Sequence, residues 1–172
     1  VTSVYAERVK GTNASVIDTR KTTPGMRYLE KAAVRHGGGS NHRYNLGDAV
    51  LIKDNHLAAI GGPTPIRDAV LAAKQRAPHT SKVEVEVVDM AGVQEALGAG
   101  ADIIMLDNMS PDDMRQAVAI IDGRALVEAS GGITLETIGA VARTGVDLIS
   151  CGALTHSAPS LDISLDFALD AS

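Results

Sequence analysis

The sequence predicts an α/β fold with parallel strands, interpreted as an incomplete TIM-like (β/α) barrel with about six strands. Three observations support this prediction. Six short apolar runs recur along the chain, helical segments separate the last four of them, and these units have a constant length. Glu86, Asp107, Glu128 and Ile149 follow one another at intervals of 21 residues. Equal units without a long insertion favour a barrel over an open sheet.

The predicted strands are rich in Val, Ile, Leu and Ala, as expected for parallel strands that are buried on both faces. They cover Ala14 to Ile17, Ala49 to Ile52, Val83 to Val88, Ile103 to Leu106, Ala125 to Val127 and Asp147 to Ser150. No linker rich in Pro, Gly or Ser divides residues 1–172, so we expect a single α/β-barrel domain. A complete eightfold barrel needs roughly 200 to 250 residues, and we therefore expect that something is missing.

The predicted helices show apolar residues at helical spacing behind a capping or first-turn residue. They cover Met90 to Leu97 after Asp89, Pro111 to Ile121 after Ser110, and Leu135 to Arg143 after Thr134. Met26 to Val34 is also helix-like, and Gly37 to Gly39 behind it is interpreted as a flexible turn. Ser3 to Lys10 resembles the end of a helix whose beginning was removed with an amino-terminal part.

Composition excludes several classes of function. A net charge of -5 and an aromatic content of 2% argue against binding of nucleic acid. The single cysteine, Cys151, excludes an internal disulfide and a cysteine-based metal site, predicts a reducing cytoplasm, and is expected to serve packing. The histidines match no zinc pattern. Neither a signal peptide nor an apolar run long enough to cross a membrane is found, so we expect no membrane partner.

Polar or charged residues lie at the carboxyl end of every predicted strand, where the loops of a barrel form a common mouth. The basic residues among them are Arg20, Lys21, His42, Arg43 and Lys53. Such a cluster repels itself, and a polyanionic ligand would compensate it. The alternative is that individual members are surface charges paired with Glu30 or Asp48.

Acidic and glycine-rich segments complete the predicted mouth. Alternation places Glu84 and Glu86 on one face of their strand, and Glu86 with Asp107 of the next strand predicts a Mg²⁺ site. The alternative is pairing of either acid with Lys53 or Lys21. Ser130-Gly131-Gly132 and Gly152 follow late strands, and backbone N–H groups there predict a phosphate site.

Six segments together resemble the quinolinate phosphoribosyltransferase family, the carboxylating nicotinate-nucleotide pyrophosphorylases. They occur in order between about Arg8 and Phe167 and comprise residues 18–25 (DTRKTTPG), 41–46 (NHRYNL), 52–56 (IKDNH), 83–86 (VEVE), 105–108 (MLDN) and 128–133 (EASGGI). The resemblance implies transfer of a phosphoribosyl group from phosphoribosyl pyrophosphate to quinolinate, with loss of carbon dioxide, in NAD synthesis.

The resemblance also implies roles for residues. Arg20, His42, Arg43 and Lys53 would hold the two carboxylates of quinolinate. Lys21, Glu86 and Asp107 would be the catalytic residues. Lys21 would lie near the reacting groups and the pyrophosphate, with Thr19 also binding substrate, and Glu86 and Asp107 would face the ribose hydroxyls and Mg²⁺. The residues around the 5-phosphate would be Ser130, Gly131, Gly132, Gly152 and His156.

The family implies a homodimer or higher homo-oligomer, because an amino-terminal domain caps the active site of the partner subunit and supplies a further arginine. We expect this sequence to lack that domain, which leaves the activity of the fragment open. Two alternatives therefore remain. One is a related transferase for another pyridine or aromatic acid, for which turnover of nicotinate would be the test. The other is a non-catalytic binding fragment, which calorimetry with quinolinate would examine.

Overall fold

The computed structural model describes residues 1–167 of the chain. A sheet of six parallel strands forms its centre, in the order β1-β6-β5-β4-β3-β2. The strands are β1 (Ser15–Ile17), β2 (Val50–Ile52), β3 (Val83–Val87), β4 (Ile103–Asp107), β5 (Leu126–Ser130) and β6 (Leu148–Ser150). The predicted parallel α/β architecture and all six predicted strands are thus confirmed.

One helix precedes the first strand, and at least one helix follows every strand. They are α1 (Thr2–Arg8), α2 (Arg27–His36), α3 (Asp54–Ile60), α4 (Pro65–Arg76), α5 (Met90–Gly98), α6 (Pro111–Ile121), α7 (Ile138–Ala142) and α8 (Ala153–His156). None of these helices, within the described part of the chain, is long and apolar enough to span a membrane.

Alternation along the strands separates the apolar core from the barrel interior. In β3, Val83, Val85 and Val87 are buried in the core together with residues of α4 and α5. Glu84 and Glu86 project from the opposite face of the sheet, as the sequence predicts, and each lines a cavity on that face. This part of the sheet therefore packs against α4 and α5 on the face of the valines and presents Glu84 and Glu86 on the other face.

Residues 40–43 bridge the two edge strands. The N–H of Ser40 donates to the carbonyl of Val16 at 2.9 Å, and a parallel bridge joins Ser40 to Ile17. Arg43 then donates to the carbonyl of Ala49, just before β2, at 3.2 Å. Residues 40–43 thus link the end of β1 to the residue before β2, while within the described part of the chain these two edge strands do not pair with each other.

The glycine triplet that leads into this segment is packed, which corrects the interpretation of a flexible turn. A Cβ atom on Gly39 would lie 2.9 Å from Thr2 Cγ2 and 3.1 Å from the carbonyl oxygen of Val16. Only a residue without a side chain allows α1 and β1 to approach the backbone here.

Two helix caps follow the sequence prediction and one does not. Asp89 accepts the N–H of Gly92 at 2.8 Å and Ser110 accepts that of Asp113 at 3.2 Å, as expected of N-caps. Thr134 instead accepts the N–H of Glu136 at 3.3 Å in a turn, and α7 begins only after Thr137. The predicted helix therefore began too early, because residues 135–137 belong to the turn.

Candidate functional site

All the candidate residues line two adjoining cavities at the carboxyl ends of the strands. The inner cavity measures about 290 Å³ and the outer cavity about 530 Å³. The predicted residues of the inner cavity are Thr19, Arg20, Lys21, His42, Arg43, Lys53 and Ser130. The outer cavity adds Glu86, Asp107, Gly131, Gly132, Gly152 and His156. Thr19, Lys21, Lys53, Ser130 and Ser150 line both, so the two cavities form one continuous mouth.

Positive charge dominates the inner cavity. Burial and the neighbouring charge of Arg20 lower the pKa of Arg43, and Glu84 and Asp48 oppose this shift. The Nε of Arg20 is buried and has no hydrogen-bond partner among the described residues. A buried donor without an acceptor costs free energy, so an anion bound here would relieve both the repulsion and the missing hydrogen bond.

The predicted alternative for these cations, pairing with Glu30 or Asp48, is not observed among residues 1–167. Glu30 accepts the N–H of Thr23 at 3.1 Å. Asp48 accepts the N–H of Tyr44 at 2.6 Å. Both carboxylates thus organise loops, while Lys53 pairs with Glu86 and Arg43 donates to the carbonyl of Ala49.

Glu86 and Asp107 lie together in the outer cavity, but their surroundings differ. Glu86 accepts from the ammonium group of Lys53, so the pairing considered as the alternative for this acid is present. Asp107 accepts from the side-chain amide of Asn108 at 2.9 Å. Two carboxylates with room for waters suit Mg²⁺, a hard cation that takes few protein oxygens. The residues present therefore fit the predicted ion.

Below the cations lie two buried glutamates to which the sequence analysis assigned no role. Glu84 and Glu128 are 2% and 1% exposed, and their Oε2 atoms lie 3.2 and 3.7 Å from His42 Nε2. The other ring nitrogen, Nδ1, accepts the N–H of Arg43 at 2.7 Å. Nε2 therefore carries the hydrogen and points to the glutamates, and both imidazole nitrogens are engaged within the protein.

The surroundings of Glu128 disfavour its charged form. Burial raises the pKa of Glu128 well above its ordinary value, and the charge of Glu84 raises it further. The ligand atoms of His42, Glu84 and Glu128 lie within 4.8 Å of one another, a spacing that a metal ion could also bridge. The alternation of residues in β3 predicts on which face Glu84 lies. The position of Glu128 beside it follows only from the pairing of β5 with β4, which the sequence does not show.

Glycine loops line the opposite side of the outer cavity. Gly131 has a φ of +93°, and a Cβ atom there would lie 2.3 Å from Oδ1 of Asn108. A Cβ atom on Gly152 would lie 2.5 Å from Nε2 of His156, whose Nδ1 is 2.6 Å from the hydroxyl of Ser157. The side chains of Asn108 and His156 therefore lie directly against these two glycines, in the wall of the cavity where a phosphate group is predicted to bind.

The family model and the relatives of known sequence that match this chain all point to the same family. Residues 1–166 match the family described as quinolinate phosphoribosyl transferase, C-terminal domain. The chain is 52% identical to a probable nicotinate-nucleotide pyrophosphorylase [carboxylating] of Bacillus subtilis, with 90% of this chain and 52% of the relative covered. Identity to the human nicotinate-nucleotide pyrophosphorylase [carboxylating] is 43%, with 95% and 55% covered.

The solved structures agree with these relatives. NadC from Streptococcus pyogenes superposes with a TM-score of 0.88 at 48% identity, covering 96% of this chain and 57% of that one. The chain thus spans a little over half the length of the relatives that it matches.

Proposed function

Because the chain belongs to the family of quinolinate phosphoribosyl transferase C-terminal domains, we propose that it supplies the catalytic barrel for phosphoribosyl transfer to quinolinate. The donor would be phosphoribosyl pyrophosphate, and the products would be nicotinate mononucleotide, pyrophosphate and carbon dioxide, in NAD biosynthesis. One observation carries the proposal: a cation-lined inner cavity adjoins an outer cavity with acids and glycine loops. The reaction needs a dicarboxylate site and a phosphoribosyl site side by side.

Quinolinate would occupy the inner cavity. Arg20 and Arg43 would each donate paired hydrogen bonds to a carboxylate, and the buried Nε of Arg20 would gain an acceptor. The ammonium group of Lys53 would either leave Glu86 and bind a carboxylate of the ligand, or donate to Glu86 and to the ligand at the same time. Since both ring nitrogens of His42 are engaged by Arg43 and Glu84, its part in binding would be to hold Arg43 in place.

Phosphoribosyl pyrophosphate would occupy the outer cavity. Ser130 and Gly131, with Gly132, Gly152 and His156 around them, would surround the 5-phosphate. Glu86 and Asp107 would face the ribose hydroxyls and would hold Mg²⁺. When bound, the ion would neutralise charge on the pyrophosphate. Thr19 and Lys21 line both cavities and would lie at the junction of the two substrates.

The chemistry needs positioning and charge more than proton transfer. The pyridine nitrogen, which carries no proton, would attack the anomeric carbon while pyrophosphate departs through a cation-like transition state. Lys21 would stabilise the departing group. The bond to the carboxylate next to the nitrogen would then break, its electron pair would remain on the ring carbon beside the positive nitrogen, and that carbon would take up a proton.

The test is Arg43→Met in the full-length protein, with the exposed Arg76→Met of α4 as the matched control. Losing a charged hydrogen-bonding partner should raise the KM for quinolinate by roughly 100-fold, with the KM for phosphoribosyl pyrophosphate changed little. Unchanged quinolinate kinetics would refute the assignment. Turnover of nicotinate in place of quinolinate would favour a related transferase, and binding without turnover would favour a fragment without catalysis.

The oligomeric state belongs to the same proposal. The homodimer or higher homo-oligomer implied by the family would complete the inner cavity with an arginine from a partner subunit. Sedimentation of the full-length protein would measure its mass, and a monomer that turns over quinolinate would contradict this part of the proposal. The cytoplasmic location stays a prediction.

A further inference from the structure

Lys31 is a buried cation to which the proposed reaction assigns no role. It lies on α2, outside the strand ends, and is only 1% exposed. Its ammonium group pairs with the carboxylate of Asp18, which is 0% exposed, and donates to the carbonyl of His42 at 3.0 Å. An ammonium group this deeply buried is tolerated only when it is paired and hydrogen-bonded.

Asp18 binds the backbone of His42 as well, at its N–H group. Its Oδ1 accepts the N–H of His42 at 2.9 Å, and its Oδ2 accepts from the side-chain amide of Asn41. The N–H of His42 is thus held by Asp18 and its carbonyl by Lys31. Because the imidazole of His42 accepts the N–H of Arg43, the backbone of Arg43 is linked to the same ion pair.

Stability alone does not account for such a pair. Buried ion pairs contribute little net stability compared with apolar side chains of similar volume, because both charges lose their hydration. The pair instead lies where two cation-bearing segments meet. Arg20 follows Asp18 by two residues on one segment, and Arg43 follows the clamped His42 on the other.

We propose that Lys31 and Asp18 are positioning residues for the dicarboxylate ligand. Their ion pair fixes segment 41–43 against the end of β1, and so sets the separation of the guanidinium groups of Arg20 and Arg43. The identity of the ligand rests on the proposed function, whereas the clamp itself rests on the contacts of His42.

The test compares the double variant D18N/K31M with Lys74→Met in the full-length protein. The double variant removes both charges of the pair, so that neither is left buried without its partner. Lys74 is the control because it also pairs with an aspartate, Asp102, but at the surface, where its side chain is 37% exposed. Without the ammonium group of Lys31, the carbonyl of His42 loses its donor. The amides of His42 and Arg43 should therefore exchange roughly tenfold faster or more, while that of Ile104 in β4 is unchanged.

The kinetic measurement separates positioning from folding. In D18N/K31M the KM for quinolinate should rise roughly tenfold or more, kcat at saturation should change much less, and the unfolding midpoint should stay near that of the wild type. K74M should leave all of these values unchanged. A folded double variant with wild-type exchange and wild-type KM would overturn the proposal.

Two further outcomes are distinguishable. If D18N/K31M does not fold, Asn41→Ala decides instead, because the amide of Asn41 donates to Asp18 and to the carbonyl of Lys31 and accepts from the exposed Arg35, so its loss loosens segment 41–43 from the ion pair. It should raise the KM for quinolinate and speed exchange at His42, and wild-type values for both would overturn the proposal. If the wild type does not turn over quinolinate, the proposed function fails, while exchange at His42 and Arg43 still decides whether the clamp exists.

Discussion

At the scale of single residues, the buried glutamates make the floor of the site sensitive to pH. Burial, and then the charge of Glu84, raise the pKa of Glu128 in the folded chain. The folded state therefore binds a proton that the unfolded state has lost, once the pH exceeds the ordinary value of 4.5. By linkage, this group contributes most to stability below that value, and its contribution is lost as pH rises toward the folded pKa.

Glu128→Gln should remove this dependence, because glutamine keeps the shape and the hydrogen-bonding capacity but has no proton to lose. We expect the free energy of unfolding of E128Q to fall less than that of the wild type between about pH 5 and about pH 8. Urea unfolding at both pH values measures it. Glu7→Gln on the exposed face of α1 is the control and should follow the wild type. Parallel curves for E128Q and the wild type would contradict the proton on Glu128.

Cys151 should be inert in the folded chain. The thiol is 1% exposed, and burial together with the charge of Glu128 raises its pKa to about 12. Almost no thiolate exists at neutral pH, and the thiolate is the form that reacts with disulfide reagents. We expect an aromatic disulfide reagent at about pH 8 to label Cys151 only after denaturant is added. Rapid labelling of the folded chain would show that the site opens.

The sequence predicts single residues well where charge interrupts an apolar strand, and poorly where function depends on a distant partner. Arg20, Lys53 and Asp107 stood out because strands rarely end in unpaired charges. Lys31 did not stand out, since a lysine on a helix usually faces solvent. Its pairing with Asp18, like that of Glu84 with Glu128, depends on how β1, β3 and β5 are placed in three dimensions.

At the scale of elements, apolar runs between turn residues located every strand, whereas helices without a buried stripe were missed. No residue of α3 is buried. In α4 only Ile66, Ala69 and Val70 are buried, among alanines and charges that give weak periodicity. A helix that packs on one narrow face leaves little pattern in the sequence, and its position follows from the need to connect β2 to β3.

The loop after β5 offers a test at this scale. Gly131→Ala places a side chain at a φ of +93° and 2.3 Å from Oδ1 of Asn108, so the backbone is strained and either the side chain of Asn108 or the loop must move. The left-handed conformation alone costs about 1–2 kcal/mol. We expect a lower unfolding midpoint and a raised KM for phosphoribosyl pyrophosphate, measured by thermal unfolding and by steady-state kinetics.

Gly98→Ala is the matched control for this substitution. Gly98 ends α5, and nothing lies within 4 Å of its added Cβ atom. The change should be neutral or slightly stabilising, because alanine has a better helix propensity by about 1 kcal/mol. Equal destabilisation by both substitutions would mean that the geometry at Gly131 has no special importance.

At the scale of the whole molecule, the local charge of the inner cavity is opposite in sign to the net charge of the chain. The chain carries a net charge of -5, yet the inner cavity gathers Arg20, Lys21, Arg43 and Lys53. Composition alone would argue against binding of anions, and only the parallel topology, which brings distant strand ends to one mouth, reverses that conclusion. The sequence predicted this convergence through the repeating units, but the contacts of residues 40–43 with β1 and with Ala49 were found only in the structure.

A dicarboxylate should therefore stabilise the whole chain more than simple salt does. A ligand at 100 times its Kd adds about 2.7 kcal/mol to the free energy of unfolding, which corresponds to roughly 5–10 °C in Tm for a domain of this size. We expect phthalate, an aromatic dicarboxylate like quinolinate, to raise Tm in thermal unfolding, and benzoate or sodium chloride at equal ionic strength to raise it less. In Arg43→Met the shift should shrink, because one of the guanidinium groups facing the cavity is lost. The same shift for chloride and phthalate would mean that the cations respond to ionic strength alone, and that no dicarboxylate site is formed.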